Sequence, residues 1–170
     1  MTDTRATIAD SIRTHPGIHF NELVESVGLA TGQVQYHLKG LLSDEVVVEE
    51  QLYGRTHYYP PEYDQWDREA LALLQRETAG DVVAYLLTNG PTRPATVAED
   101  LDIARSTLEW HLDRHIEHGL VRKDREQGNR VTLTVVNAEQ TLELLRDADP
   151  SLRHRLVDRF TRLVDRLLSV

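Results

Sequence analysis

The chain has 170 residues, 40% hydrophobic and 28% charged, the balance of a soluble globular protein. It holds 28 acids against 19 bases, a net charge of −9, and no cysteine, so disulfides and thiolate metal sites are excluded. No apolar run approaches the roughly 18 residues of a membrane span, and "MTDTRATIAD" lacks the features of a signal peptide, so a cytoplasmic protein with no membrane partner is expected.

In chain order, residues 5–14 place Ile8, Ala9 and Ile12 at helical spacing, and "HPG" at 15–17 predicts a turn. Asn21 is the expected cap of a short helix with the apolar face Leu23, Val24 and Val27, ended by Gly28. Thr31 is the expected cap of a third helix with the inner face Val34, Leu38, Leu41 and Leu42. "VVVEEQLYGRTHYYP" then predicts two strands around a turn at Tyr53-Gly54-Arg55. The order returns in three helices at "DVVAYLLTNG", "ATVAEDLD" and "ARSTLEWHLDRHIEHG", followed by a hairpin at "LVRKDREQGNRVTLTV" with Gly128 near its tip. Asn137 is the expected cap of "AEQTLELLRDAD", and Pro150 suits the first turn of a last helix.

The recurrence has a fixed offset of 74 residues. Ile8 matches Val82, Ile12 matches Leu86, Leu23 matches Val97, Val34 matches Leu108, His37 matches His111, Leu38 matches Leu112 and Gly54 matches Gly128. Apolar positions meet apolar positions without a gap, which predicts two copies of one unit. Helix, short helix, turn, helix and hairpin is the order of a winged helix-turn-helix. The expected fold class is therefore mainly α with small β-wings: two tandem winged helix-turn-helix units plus C-terminal helices. Residues 1–60 form the first unit, 61–79 a linker and connecting helix, 80–136 the second unit, and 137–170 a C-terminal helical dimerisation segment.

The stretches "TGQVQYHLKGLLSDEVV" and "ARSTLEWHLDRHIEHGLVRKD" resemble the helix-turn-helix of archaeal regulators similar to the ArsR and MarR families. Those commonly read Ser-Thr-Val, then Tyr-His-Leu, then Gly-Leu-Val leading into the wing. The second copy keeps Ser106-Thr107 and Gly119-Leu120-Val121, whereas the first departs with Gly32-Gln33 and Glu45-Val46-Val47. The resemblance implies a DNA-binding transcription regulator. Winged helices also bind proteins, so an interaction scaffold of basal transcription or chromosome segregation stays open as the alternative. Only Lys39 and Lys123 are lysines among the 19 bases, and an acidic surface so poor in Lys resembles proteins of salt-loving archaea.

The third helix of each copy carries the functional expectation. In the first, Gly32, Tyr36, Lys39 and Ser43 lie opposite the apolar face, with Gln35 beside them. Gln pairs bidentately with adenine, and Lys reaches guanine or a phosphate. Thr31, Gly32, Gln33, Gln35, Tyr36 and Lys39 are therefore the expected contacts to double-stranded DNA, with Arg55 from the first wing and Arg122, Lys123, Arg125 and Arg130 from the second. The same face of the second copy holds Trp110 among Glu109, Asp113, Arg114 and Glu117, which fits a protein partner better.

The last helix carries Leu156, Phe160, Leu163 and Leu167 at coiled-coil spacing, the expected interface of a homodimer. His111, His115 and His118 share a helix, yet His111 belongs to the recurring motif and His115 occupies the core slot of Leu41, so neither metal nor cofactor is expected. Phosphate loops, Gly-x-Ser-x-Gly and His-Glu-x-x-His are missing, so no enzyme is expected.

Overall fold

The computed structural model describes residues 2–148. The fold is mainly helical with two small antiparallel sheets. In chain order its elements are α1 (Thr2–Thr14), β1 (Ile18–His19), α2 (Phe20–Val27), α3 (Thr31–Ser43), β2 (Val48–Leu52), β3 (Arg55–Tyr59), α4 (Gln65–Leu74), α5 (Glu77–Asn89), α6 (Pro94–Leu101), α7 (Arg105–Glu117), β4 (Val121–Glu126), β5 (Arg130–Val135) and α8 (Ala138–Ala148). Two compact units divide after Ala72, so α4 begins in the first and ends in the second.

The first unit packs α1, α2 and α3 around Ile8, Ile12, Leu23, Val34, Leu38 and Leu41. These are the positions that the 3.6-residue period turns inward. Val47 and Tyr58 close the core from the hairpin side, and Ile18 from β1. The sheet runs β1-β3-β2, with Ile18 opposite Tyr58 and Val48 opposite Tyr59. Leu52 pairs with Arg55, so the loop is Tyr53-Gly54 alone, and Arg55 is the first residue of β3 rather than part of the turn. Tyr53 and Gly54 have φ of 53° and 78°, the double left-handed geometry whose twist suits a tight hairpin.

In the second unit, α6 and α7 begin and end 74 residues after α2 and α3. Val82, Leu86, Val97, Leu108, Leu112 and Val121 are buried, as are their first-unit counterparts. Two backbone positions recur as well. The residue that ends the second helix is left-handed in both copies, Gly28 at φ 65° and Asp102 at φ 55°. The lead-in to the wing is left-handed too, Glu45 at 55° and Gly119 at 70°. The second wing differs by one residue: Glu126 pairs with Arg130 across a three-residue loop, Gln127 to Asn129. In place of β1, a single bridge joins Thr92 to Leu133. Gly80 sits where an added Cβ would lie 2.6 Å from the carbonyl oxygen of Leu74, so the start of α5 approaches the end of α4 too closely for any other residue.

The helix caps differ from expectation. Ala30, not Thr31, occupies the N-cap of α3, and His19, not Asn21, that of α2; neither makes a side-chain capping bond. The seam residues Leu156, Phe160, Leu163 and Leu167, and Pro150, lie outside the described residues.

Candidate nucleic-acid interface

α3 is held on one side by Val34, Leu38 and Leu41, each nearly inaccessible to water. That fixes what its other side presents: Thr31, Gly32, Gln33, Gln35, Tyr36, Lys39 and Ser43 are all exposed. Tyr36 is 77% exposed, the most open of the large apolar side chains among the described residues, and its ring meets only the edge of the His37 ring at 5.2 Å. An exposed Tyr at this level has no packing reason to be there. At the N-terminus of α3 the ladder leaves the first amides open. Gln33 and Val34 donate to Ala30, while Thr31 and Gly32 have no such bond. Lys39 forms no ion pair among the described residues.

Arg55 stands at the tip of the first wing, next to the Tyr53-Gly54 loop. Its guanidinium lies 3.3 Å from His19 Nε2, the same nitrogen that is 3.1 Å from Glu22. A single ring nitrogen cannot accept from Arg55 and donate to Glu22 at once, so these bonds are alternatives. The two acids of that wing differ. Glu49 is exposed, whereas Glu50 pairs with the half-buried Arg68 of α4, which also donates to the carbonyl of Tyr63.

The equivalent surface of the second unit has other partners. Trp110 occupies the place of Tyr36, but Arg114 stacks on its ring at 3.4 Å from the centroid and Arg76 lies at 5.9 Å. Glu109 does not project freely; it holds Lys123 at 2.9 Å. Arg122 bonds Asp124, which also accepts from Thr134; these hydrogen bonds hold the Asp124 carboxyl below the usual range. Of the four second-wing cations, Arg122 and Lys123 are thus engaged within the unit, and Arg125 and Arg130 form no ion pair among the described residues. Sequence reasoning missed the Lys123–Glu109 pair because its partners stand 14 apart, one on a helix and one on a strand, where no local period operates. Arg122 and Asp124 lie two apart on β4, a same-face spacing that the strand period itself marks.

The histidines of α7 are structural. His115 is fully buried and donates from Nε2 to the carbonyl of Ala79 at 3.1 Å, leaving Nδ1 without a partner. Burial pushes its pKa down to about 4. His111 is also lowered, by burial first and then by Arg114 and Arg76. Among the described residues no group of His, Asp and Glu has the arrangement of a metal shell. No described helix is long and apolar enough to cross a membrane.

Residues 2–71 match the profile of a family described as an N-terminal HTH domain. Over 131 residues, 77% of the chain, the sequence is 30% identical to an uncharacterized HTH-type transcriptional regulator of Methanocaldococcus jannaschii. The chain spans only 33% of that protein's length. Among solved structures, overoxidized AbfR bound to DNA overlaps 61% of this chain and 82% of its own, at 18% identity and a TM-score of 0.39. A conserved hypothetical protein from Chlorobium tepidum overlaps 86% of this chain and 98% of its own, at 13% identity and a TM-score of 0.32. The first unit is thus similar to an N-terminal HTH domain family, and a 131-residue match, longer than that unit, carries the likeness to an HTH-type transcriptional regulator into the second.

Proposed function

We propose that the chain is a sequence-specific DNA-binding transcription regulator in which α3 of the first unit enters the major groove. The observation that carries this reading is the exposed face of α3. It presents two Gln, a Tyr, a Lys and a Gly, with no carboxylate, on the third helix of a helix-turn-helix unit. Gln35 and Gln33 are suited to adenine edges, Lys39 to guanine or phosphate, and the ring of Tyr36 to a thymine methyl group. The open amides of Thr31 and Gly32 suit a phosphate at the helix N-terminus. Arg55 from one wing, and Arg125 and Arg130 from the other, add backbone contacts. Arg122 and Lys123 contribute less, because each would first have to leave an internal carboxylate.

In this reading residues 1–60 and 80–136 are tandem winged helices, 61–79 connects them, and 137–170 pairs two copies into a homodimer suited to a palindromic operator. The acid excess with two lysines fits a halophilic cytoplasm. The reading involves no catalysis. A second reading has its own support: Trp110, 45% exposed between two guanidinium groups on a helix that also carries Asp113 and Glu117, fits a protein contact better than a base contact. The units then divide the work, the first on DNA and the second on a protein.

Selection of bound fragments from a random duplex pool tests the assignment. Gln35→Ala with Tyr36→Ala is expected to erase the selected preference, since each good base pairing contributes roughly 1–3 kcal/mol. Trp110→Ala is expected to leave it in place. Loss of base preference in the Trp110 variant alone would reverse the assignment of the units.

A further inference from the structure

His19 ends β1 and stands at the N-cap of α2. Its Nε2 lies 3.1 Å from a carboxylate oxygen of Glu22 on α2 and 3.3 Å from a guanidinium nitrogen of Arg55 on β3. The two contacts need opposite states of one atom. An unprotonated Nε2 accepts from Arg55 and offers Glu22 only a lone pair. A protonated Nε2 donates to Glu22 and accepts nothing. The neutral ring keeps both choices through its two tautomers. The charged ring keeps only the second: it gains a charge-assisted bond to Glu22 and sets a like charge against Arg55.

Two further groups face the ring. His57 pairs with His19 across the sheet and meets it edge-on at 6.4 Å, its own Nδ1 2.8 Å from the carbonyl of Gly17. Lys39 of α3 lines the same groove as His19 and adds a second like charge. Glu22 is thus the carboxylate that would hold a charged His19. Arg55 forms no ion pair among the described residues, and His19 is the side chain that it bonds there. The positions 74 residues on are Arg93, Thr96 and Asn129, with no imidazole and no carboxylate, so the trio belongs to the first copy alone.

We infer that His19 is a positioning residue for Arg55: the neutral ring ties the wing-tip guanidinium back to β1, and the protonated ring turns to Glu22 and releases it. The consequence for DNA rests on the reading of the first unit given above. A released guanidinium is free to meet a phosphate, so the DNA-bound chain holds His19 protonated more often than the free chain does. Affinity then rises as the pH falls through the range in which an imidazole changes charge. Arg55 is exposed, so the gain is that of a surface charge contact, about two- to fivefold.

The test uses the full chain between pH 8.5 and 6.0, at a salt concentration where circular dichroism shows it folded. Proton–nitrogen correlation spectra without DNA follow the His19 ring and the Arg55 Nε–H. The Arg55 signal is expected to shift in step with His19 protonation and to stay still in His19→Gln. An Arg55 signal indifferent to the charge on His19 would overturn the latch. With labelled operator, the unsubstituted chain is expected to bind two- to fivefold tighter at the acid end. His19→Gln and Arg55→Gln should lose that gain, and Glu22→Gln should move it to lower pH, because the charged ring loses its carboxylate. The same gain in His19→Gln would overturn the coupling to DNA. Should His19→Gln fail to fold, Glu22→Gln, at an exposed side chain, carries both measurements, and an unmoved step overturns the proposal. Should the chain select no DNA, the coupling falls with the DNA reading, and the Arg55 signal still decides whether His19 holds the wing tip.

Discussion

Replacing His115 by Leu should remove a specific acid sensitivity from the fold. The imidazole is fully buried, and its only hydrogen bond in the structure runs from Nε2 to Ala79. Charging it would put a proton on Nδ1, which has no partner. The folded-state pKa is therefore pushed down to about 4, against 6.5 for a free imidazole. Below 6.5 the unfolded chain binds the proton first, so stability falls as the pH drops from 6.5 toward 4. The shift corresponds to about 3 kcal/mol at its limit, and to about 2 kcal/mol lost between neutrality and pH 5. Leu is the residue at the matching place in the first copy, Leu41, which is equally buried. It fills the site without a titratable nitrogen, and Ala79, in the first turn of α5, keeps its helical ladder. Urea unfolding from pH 7.5 to 4.5 at constant high salt should show the two proteins diverging with acid, the variant holding the stability the parent loses. Parallel curves over that range would refute the claim that buried His115 is the source.

Other substitutions follow from the same 74-residue correspondence. Glu45 and Gly119 share a left-handed backbone position, and a left-handed conformation costs a non-glycine residue roughly 1–2 kcal/mol. Glu45→Gly should therefore stabilise by up to about 1 kcal/mol after glycine's greater unfolded freedom is subtracted, and Gly119→Ala should destabilise; thermal unfolding of both reads the opposite signs. Gly80→Ala should cost about 1–3 kcal/mol, because its Cβ meets the Leu74 carbonyl, and a neutral result in denaturant melts would contradict that close approach. Removing residues 150–170 should convert dimer to monomer or aggregate by light scattering, and an intact dimer would exclude the Leu156–Leu167 seam as the interface. Specific affinity should change little, or rise, between about 0.1 and 2 M KCl, as screening of the acids offsets lost phosphate attraction; a steep fall with a protein already folded at low salt would refute the halophile account.

The helices of the described residues and both hairpins were legible because each is a local pattern. Ile8 and Ile12, or Leu108 and Leu112, mark a face by spacing alone, and the 74-residue offset let each copy check the other. What the sequence hid is non-local or indifferent to propensity. β1 is two residues long, and its pairing of Ile18 with Tyr58 spans 40 positions, so no period exists to detect. Thr31 and Asn21 are good capping types, yet the chain places Ala30 and His19 at those caps and leaves the side-chain bond unmade. At α3 that choice keeps two amides open at the end proposed to face a phosphate. Of the proposed contacts, exposure along α3 follows from the helical period. The engagement of Lys123 by Glu109 does not, since it depends on how a strand lies beside a helix; that of Arg122 by Asp124, two apart on one strand face, turns on the rotamers chosen there.

The acidity of the chain bears on the proposed function through its distribution rather than its sum. A share of 28 acids in 170 residues would put about two in any thirteen-residue helix. α7, thirteen residues long, has three: Glu109, Asp113 and Glu117. α3, of the same length and the same place in the repeat, has none. Solubility in salt asks for acids wherever solvent reaches, and α3 is exposed along its whole outer face. Among the described helices, the one without a carboxylate is thus the one that would meet a phosphodiester surface, where a carboxylate is repelled most strongly. α7, with acids and an Arg-stacked Trp at the positions 74 residues on, would meet that repulsion if turned to DNA. α3 and α7 thus differ in the direction that would separate the proposed base-reading surface from a protein-binding one.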